Sequence, residues 1–232
     1  MFFRLETLRE AALDALALLL PVECAGCGAP DRAVCAGCRV ALLPEPSVRR
    51  LPDGTPVFSG LDYDGAVRRV ILAFKEQGRS ELARALAPAL AAAVVEAGTT
   101  LDLDGVEVVA VPGSRQARRR RGFDPVPALV SSAGLNRARV FVPAQPHTAQ
   151  KTLSIEQRAR NLDGVFALMA PVAGRRFLLV DDVVTTGATL SAAAAALRSA
   201  GAEVVAAAVV ASTPKLFGSA VTALRERSVT FP

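Results

Sequence analysis

The chain has 232 residues, 51% hydrophobic and 21% charged, with a formal net charge of +5 carried mostly by arginine. That much apolar material excludes a disordered chain, and the positive balance favours anionic partners without choosing among phosphates, nucleic acids and phosphosugars. Aromatic residues make up only 5%, Trp is absent, and Ala and Val supply much of the apolar count. This favours helices alternating with buried strands over a sandwich or barrel, so an α/β protein is expected.

Residues 5–20, LETLREAALDALALLL, place Leu5, Leu8, Ala12, Leu16 and Leu19 near one face at helical spacing and predict an amphipathic helix ending at Pro21. Its polar residues are mostly acidic, which favours packing on the rest of the protein over lying on a membrane. No apolar run reaches the roughly 20 residues of a membrane span, and the start of the chain does not read as a secretory signal. No membrane insertion is expected, and a cytoplasmic location is.

All four cysteines follow within fifteen positions, Cys24, Cys27, Cys35 and Cys38, in the pattern C-x2-C-x7-C-x2-C. Two tight turns, eased by Gly26, Gly28 and Gly37, direct two sulfurs each at one point, as a tetrahedral Zn(II) site requires. Two disulfides or reactive thiols are the alternative, disfavoured where thiols stay reduced. Four thiolates leave no open coordination position, so the metal is expected to be structural. Pro44, Pro46, Pro52 and Pro56 then read as a linker. The expected division is residues 1–46, a helix and a four-cysteine zinc finger, and residues 47–232, the main domain.

The main domain opens with a predicted strand over 56–61, a helix over 65–77 that Gly78 can terminate, and an alanine-rich helix over about 80–96. VEVVAVP, 106–112, is a β-branched run suited to the middle of a parallel sheet. RRFLLVDD, 175–182, is a second such strand, followed by a helix closed by Gly201 and a third strand, EVVAAAVVA. Strand, helix and strand in that order imply a right-handed parallel crossover.

The sharpest motif runs from Leu178 through Asp181-Asp182 to Thr185-Thr186-Gly187-Ala188-Thr189, a strand ending in two carboxylates that passes through a Thr/Gly loop into a helix. Free backbone N–H groups and the positive dipole end of that helix suit an anion, and the threonine hydroxyls add donors for a phosphate monoester. Two carboxylates beside an anion site make sense if they accept hydrogen bonds from sugar hydroxyls or recruit Mg(II). Together these features describe a phosphorylated ribose. Capping of the strand and helix ends explains one Asp or one Thr, but not all five residues.

This motif resembles that of the type I phosphoribosyltransferases, which bind 5-phosphoribosyl 1-diphosphate (PRPP) on a parallel sheet flanked by helices. The cysteine knuckle, Tyr63-Asp64-Gly65 leading to Phe74-Lys75-Glu76-Gln77-Gly78, Val111-Pro112 through Arg120-Arg121-Gly122-Phe123, and a segment from Thr148 to Phe166 with Gln150, Arg158 and Asn161 occur in the order typical of ComF-family proteins. That family is associated with natural competence and DNA uptake. The resemblance implies that Asp181 and Asp182 hold the ribose hydroxyls, that Thr185, Thr186, Gly187, Ala188 and Thr189 hold the 5-phosphate, and that Val111, Pro112, Gly113, Ser114 and Arg115 take the pyrophosphate with Mg(II). It also implies a closing loop over 148–166, with Lys151, Arg158 and Arg160 facing the departing pyrophosphate; a solvated helix face is the alternative for these three. Two departures stand out. Asp124-Pro125 replaces the usual Asn-Gln after the Arg-Gly-Phe, and Thr185 stands where purine-salvage members carry a carboxylate base.

Arg115, Arg118, Arg119, Arg120 and Arg121 form the densest charge run. They read as a solvated loop, as ligands for pyrophosphate, or, at Arg118–Arg121, as a contact for single-stranded DNA, with Phe123 and Phe141 available for base stacking. Three functions follow: a PRPP-dependent transferase acting on an unidentified acceptor, a non-catalytic PRPP sensor that binds single-stranded DNA or competence proteins, and a structural adaptor. The sequence leaves the oligomeric state open.

Overall fold

The computed structural model describes residues 22–30, 32–113, 121–142 and 166–213; the helix expected over 5–20 lies outside them. In chain order the elements are helix α1 (Ala36–Val40), strands β1 (Ser47–Arg50) and β2 (Pro56–Asp62), helix α2 (Gly65–Glu76), a single 3-10 turn (Ser80–Leu82) and helix α3 (Ala83–Thr100). Strand β3 (Val106–Ala110), helix α4 (Pro125–Ser132), the short strands β4 (Phe141–Val142) and β5 (Ala167–Leu168), strand β6 (Arg176–Val184), helix α5 (Ala188–Ser199) and strand β7 (Glu203–Ser212) follow.

The described strands form a five-stranded sheet in the order β1-β2-β7-β6-β3, and β4 pairs with β5 separately. Within the five-stranded sheet only the β1–β2 edge pair is antiparallel, and β2, β7, β6 and β3 run parallel; the separate β4–β5 pair is antiparallel too. Both faces are covered, which explains the near-continuous apolar strands. Alternation along β6 sends Leu178 and Val180 into the core shared with α2, α3 and α4, and Phe177 and Leu179 into the core shared with α5. The crossover from β2 to β3 and the one from β6 to β7 travel in opposite directions, so right-handed connections put their helices on opposite faces. The α/β fold with a mostly parallel, helix-flanked sheet matches the expectation.

Three details differ from the sequence reading. Strand β6 extends to Val184, so both aspartates lie within the sheet ladder rather than at its end. Strand β3 stops at Ala110; Val111 still donates to the Val180 carbonyl at 2.8 Å, and Pro112 and Gly113 continue as a loop. The segment read as a linker contributes β1, because none of its prolines falls within Ser47–Arg50 and an edge strand needs only one paired side. Helix α3, with the preceding turn, is long and apolar enough to cross a membrane. Its Leu86, Ala89, Leu90, Ala93 and Ala97 are instead buried in the core.

The cysteine loop belongs to the same core. Cys24, Val34, Cys38 and Leu42 join the cluster that contains Val67, Val70, Ile71 and Phe74 of α2. Arg69 of α2 donates to the Gly26 carbonyl, and Arg79 donates to the Glu23 carbonyl at 2.9 Å.

Helix α3 crosses β2 at Gly60, where an added Cβ would lie 2.0 Å from the Ala89 carbonyl oxygen. Backbone on both sides cannot yield as a side chain can. Gly60→Ala is expected to lower stability by roughly 1–3 kcal/mol or more, as overpacking does. Denaturant unfolding checks this, and a variant as stable as the parent would contradict the packing.

Candidate functional site

The parallel strands carry their connections to opposite faces at the C-terminal ends of β3 and β6, which opens a crevice there. A cavity of about 380 Å³ occupies it. Its walls bring together Val111, Pro112 and Gly113 after β3, Asp181 and Asp182 on β6, and Thr185 and Thr189 at the entry to α5. The sequence reading assigned these seven residues, from two distant segments, to one ligand, and the fold places all seven on one cavity.

Adjacent residues on a strand point to opposite sides, so β6 splays its two carboxylates. Asp182 is 4% exposed and accepts hydrogen bonds from Lys75 Nζ at 2.9 Å and from the Val183 backbone N–H at 2.7 Å. Asp181 accepts from the Asp182 backbone N–H at 2.8 Å and is half-buried. Burial, followed by the charge of Asp182 beside it, pushes the Asp181 carboxyl up to about 8. Burial opposes the charge on Lys75, but the carboxylates of Asp182 and Asp181 outweigh it and hold the ammonium above its ordinary value.

The turn into α5 is built for close approach. Gly187 has φ +83°, a conformation that favours glycine, and a Cβ there would have to displace Leu51 Cδ2, 2.5 Å away. Thr186 Oγ1 accepts from the Ala188 N–H at 3.3 Å, so this hydroxyl closes the turn. Thr186, Gly187 and Ala188 shape the loop, while Thr185 and Thr189 face the cavity.

Lys75, Arg121, Tyr63 and Asp124 also line the cavity. Sequence reasoning quoted Lys75 within a motif but gave it no role. Its signal was an ammonium directly after the apolar run Val70–Phe74 in the last turn of the helix, in a chain with three lysines. Arg121, grouped by charge run with the DNA-binding candidates, is 10% exposed and donates to Glu76 Oε1 at 2.8 Å. Phe123 packs on Phe74 with ring centroids 5.3 Å apart, and Phe141 packs on Phe166 at the same distance. Each ring therefore has an aromatic packing partner within the protein. Asp124 and Pro125 start α4, with Pro125 in the first turn where a missing N–H costs nothing. Ser114, Arg115, Arg118, Arg119, Arg120, Lys151, Arg158 and Arg160 lie outside the described residues.

The four cysteines are free thiols whose sulfurs all lie within 4.8 Å of one another, with Cys27 and Cys35 3.6 Å apart. Four sulfurs around Zn(II) at about 2.3 Å are separated by roughly 3.8 Å, so the set fits a tetrahedral ion. Burial opposes a thiolate at Cys24, but N–H groups of Cys35, Gly26 and Cys27 outweigh it and bring the thiol down to about 6. Burial and then the neighbouring cysteines push Cys38 up to about 12. One thiolate thus makes another costly, a conflict that a divalent cation relieves. Gly26 is required here, since its Cβ would meet Cys38 Sγ at 2.5 Å.

An unfolded-chain aspartate ionises near 3.9. Because folded Asp181 keeps its proton to about 8, the folded state holds the extra proton between these values. Stability from this group therefore falls as pH rises through that window. Asp181→Asn is expected to melt higher than the parent, by a margin that widens from pH 5 to pH 8 and then levels. Thermal melts across pH without added ligand check the sign, and a margin that narrows with pH would refute it.

A family model described as phosphoribosyl transferase domain matches residues 133–217. The DNA utilization protein YhgH of Escherichia coli strain K12 is 32% identical over 172 residues, covering 69% of this chain and 70% of that protein. The protein of the same name from Shigella flexneri shows the same identity and coverage. With the parallel sheet, the carboxylate and threonine cavity and the cysteine cluster in one chain, these matches assign it to the ComF family of phosphoribosyltransferase-domain proteins.

Proposed function

We propose that the cavity binds PRPP with Mg(II) and that the protein transfers the phosphoribosyl group to an acceptor still to be identified, releasing pyrophosphate. The observation that carries this reading is the convergence of the β3 loop, the aspartate pair and the α5 entry on one cavity. Thr185, Thr189 and the backbone N–H groups at the start of α5 would take the 5-phosphate, where the helix dipole favours an anion. Asp182, oriented by the Val183 N–H, and Asp181 beside it would accept hydrogen bonds from the ribose hydroxyls. The loop Val111–Gly113 would receive the diphosphate, together with Ser114 and Arg115. Lys151 and Arg158 would place positive charge on the leaving group and help exclude water. Mg(II), when bound, neutralises the diphosphate and so eases its departure.

The cysteine cluster is read as a structural zinc site, and the protein as cytoplasmic. The DNA utilization for which its relatives are named supports a second reading in which the protein senses PRPP and binds single-stranded DNA or a competence protein through Arg118–Arg121. In that case DNA affinity survives loss of the aspartates and falls when the arginines are replaced.

Calorimetric titration of the zinc-loaded protein with PRPP and Mg(II) tests the main reading. Saturable binding is expected in the parent and none in Asp181→Ala/Asp182→Ala; no binding by the parent would refute it. Cys24→Ser is expected to release zinc by elemental analysis and to lower stability by several kcal/mol. A variant retaining full zinc would refute the metal assignment.

A further inference from the structure

We propose that Lys75 and Arg121 form a diphosphate-binding wall that is latched in the free protein, each cation held by an internal carboxylate that it gives up when the ligand enters. This rests on the reading of the cavity given above. It adds which cations outside the matched domain meet the diphosphate, and what they release.

Both side chains line the cavity that contains the aspartate pair. Lys75 enters from the last turn of α2. Its ammonium has three donors, and Asp182 takes one of them at 2.9 Å. Arg121 enters from the opposite side in sequence, ahead of α4. Its side chain is 10% exposed, and one terminal nitrogen is bound to Glu76. Its Nε is buried with no hydrogen-bond partner among the described residues. A buried guanidinium N–H left unmatched is costly, and it points to an acceptor supplied from the cavity. The two cations also repel each other through the site, as the effect of Arg121 on Lys75 shows. An anion with several oxygens between them removes that repulsion and fits the planar fork of Arg121.

The monoester end of the ligand does not suit this wall, because the threonines and the α5 N-terminus already offer neutral donors elsewhere. The diphosphate does, since the Val111–Gly113 loop borders the same space. Exchange of partner has a second effect. When Lys75 turns to the diphosphate, Asp182 loses its cation and becomes free to accept from a ribose hydroxyl. The diphosphate thus prepares the ribose subsite, and a sugar phosphate without it meets a closed latch.

Titration of the full chain with PRPP plus Mg(II), pyrophosphate plus Mg(II), and ribose 5-phosphate tests this. Lys75→Met and Arg121→Gln are each expected to lower PRPP and pyrophosphate affinity on the order of 10- to 100-fold, while ribose 5-phosphate affinity stays within about threefold with Arg121→Gln and holds or rises with Lys75→Met, which opens the latch. Equal losses for PRPP and ribose 5-phosphate, or no loss for PRPP, overturn the latch. If the parent protein binds no PRPP, the underlying reading of the cavity falls with it. Arg121→Gln leaves the Lys75–Asp182 pair intact, so it decides the question if Lys75→Met fails to fold.

Discussion

Two adjacent carboxylates on a central strand are an unstable arrangement until a cation reaches them, and the ion pair between Lys75 and Asp182 is the contact on which the rest of the site depends. Removing a charge from water costs several kcal/mol, and only a close, hydrogen-bonded partner compensates for it. Lys75 meets this condition at 2.9 Å because α2 lies across the sheet with Val70, Ile71 and Phe74 buried beneath it. The apolar packing of α2 therefore positions the chemistry at the end of β6. Asp181 has no cation at the same distance among the described residues, and it settles the remaining repulsion by holding its proton. In the free protein the pair is asymmetric: Asp182 is held by a cation, and Asp181 is held by its proton.

Much of this was legible in the sequence, for physical reasons that differ by element. β6, α5 and β7 form one local crossover, so hydrophobic runs, the aspartate pair and the glycine loop lie within a single stretch and announce themselves. The cysteine spacing is likewise local. Lys75 was not legible as a site residue because its partner is 107 positions away and only the sheet order joins them. Arg121 was grouped with its neighbours in a basic run, although burial separates it from a solvated loop. β1 was hidden because prolines on both sides of a four-residue strand read as a linker.

The strand boundaries show how a shift of two residues alters the chemistry. Had β6 ended at Asp182, the two carboxylates would have sat at the strand's terminus, where pairing frays. Because it continues to Val184, pairing with β7 fixes the backbone through Asp181. The early end of β3 does the opposite, freeing Pro112 and Gly113 beyond the bonded Val111 to line the cavity. Sheet pairing thus fixes the groups that must be oriented and releases the backbone that must approach a ligand.

The cysteine loop has a place in this scheme that a separate finger would not have. Its Cys24, Val34, Cys38 and Leu42 complete the core over α2, and Arg69 and Arg79 tie its backbone down. A recombination event that cut the gene between loop and sheet would expose the apolar flank of α2 and free neither half as a finished module. The two parts are therefore bound to descend together, and an ancestor that lost its cysteines would have had to rebuild that flank before losing the loop.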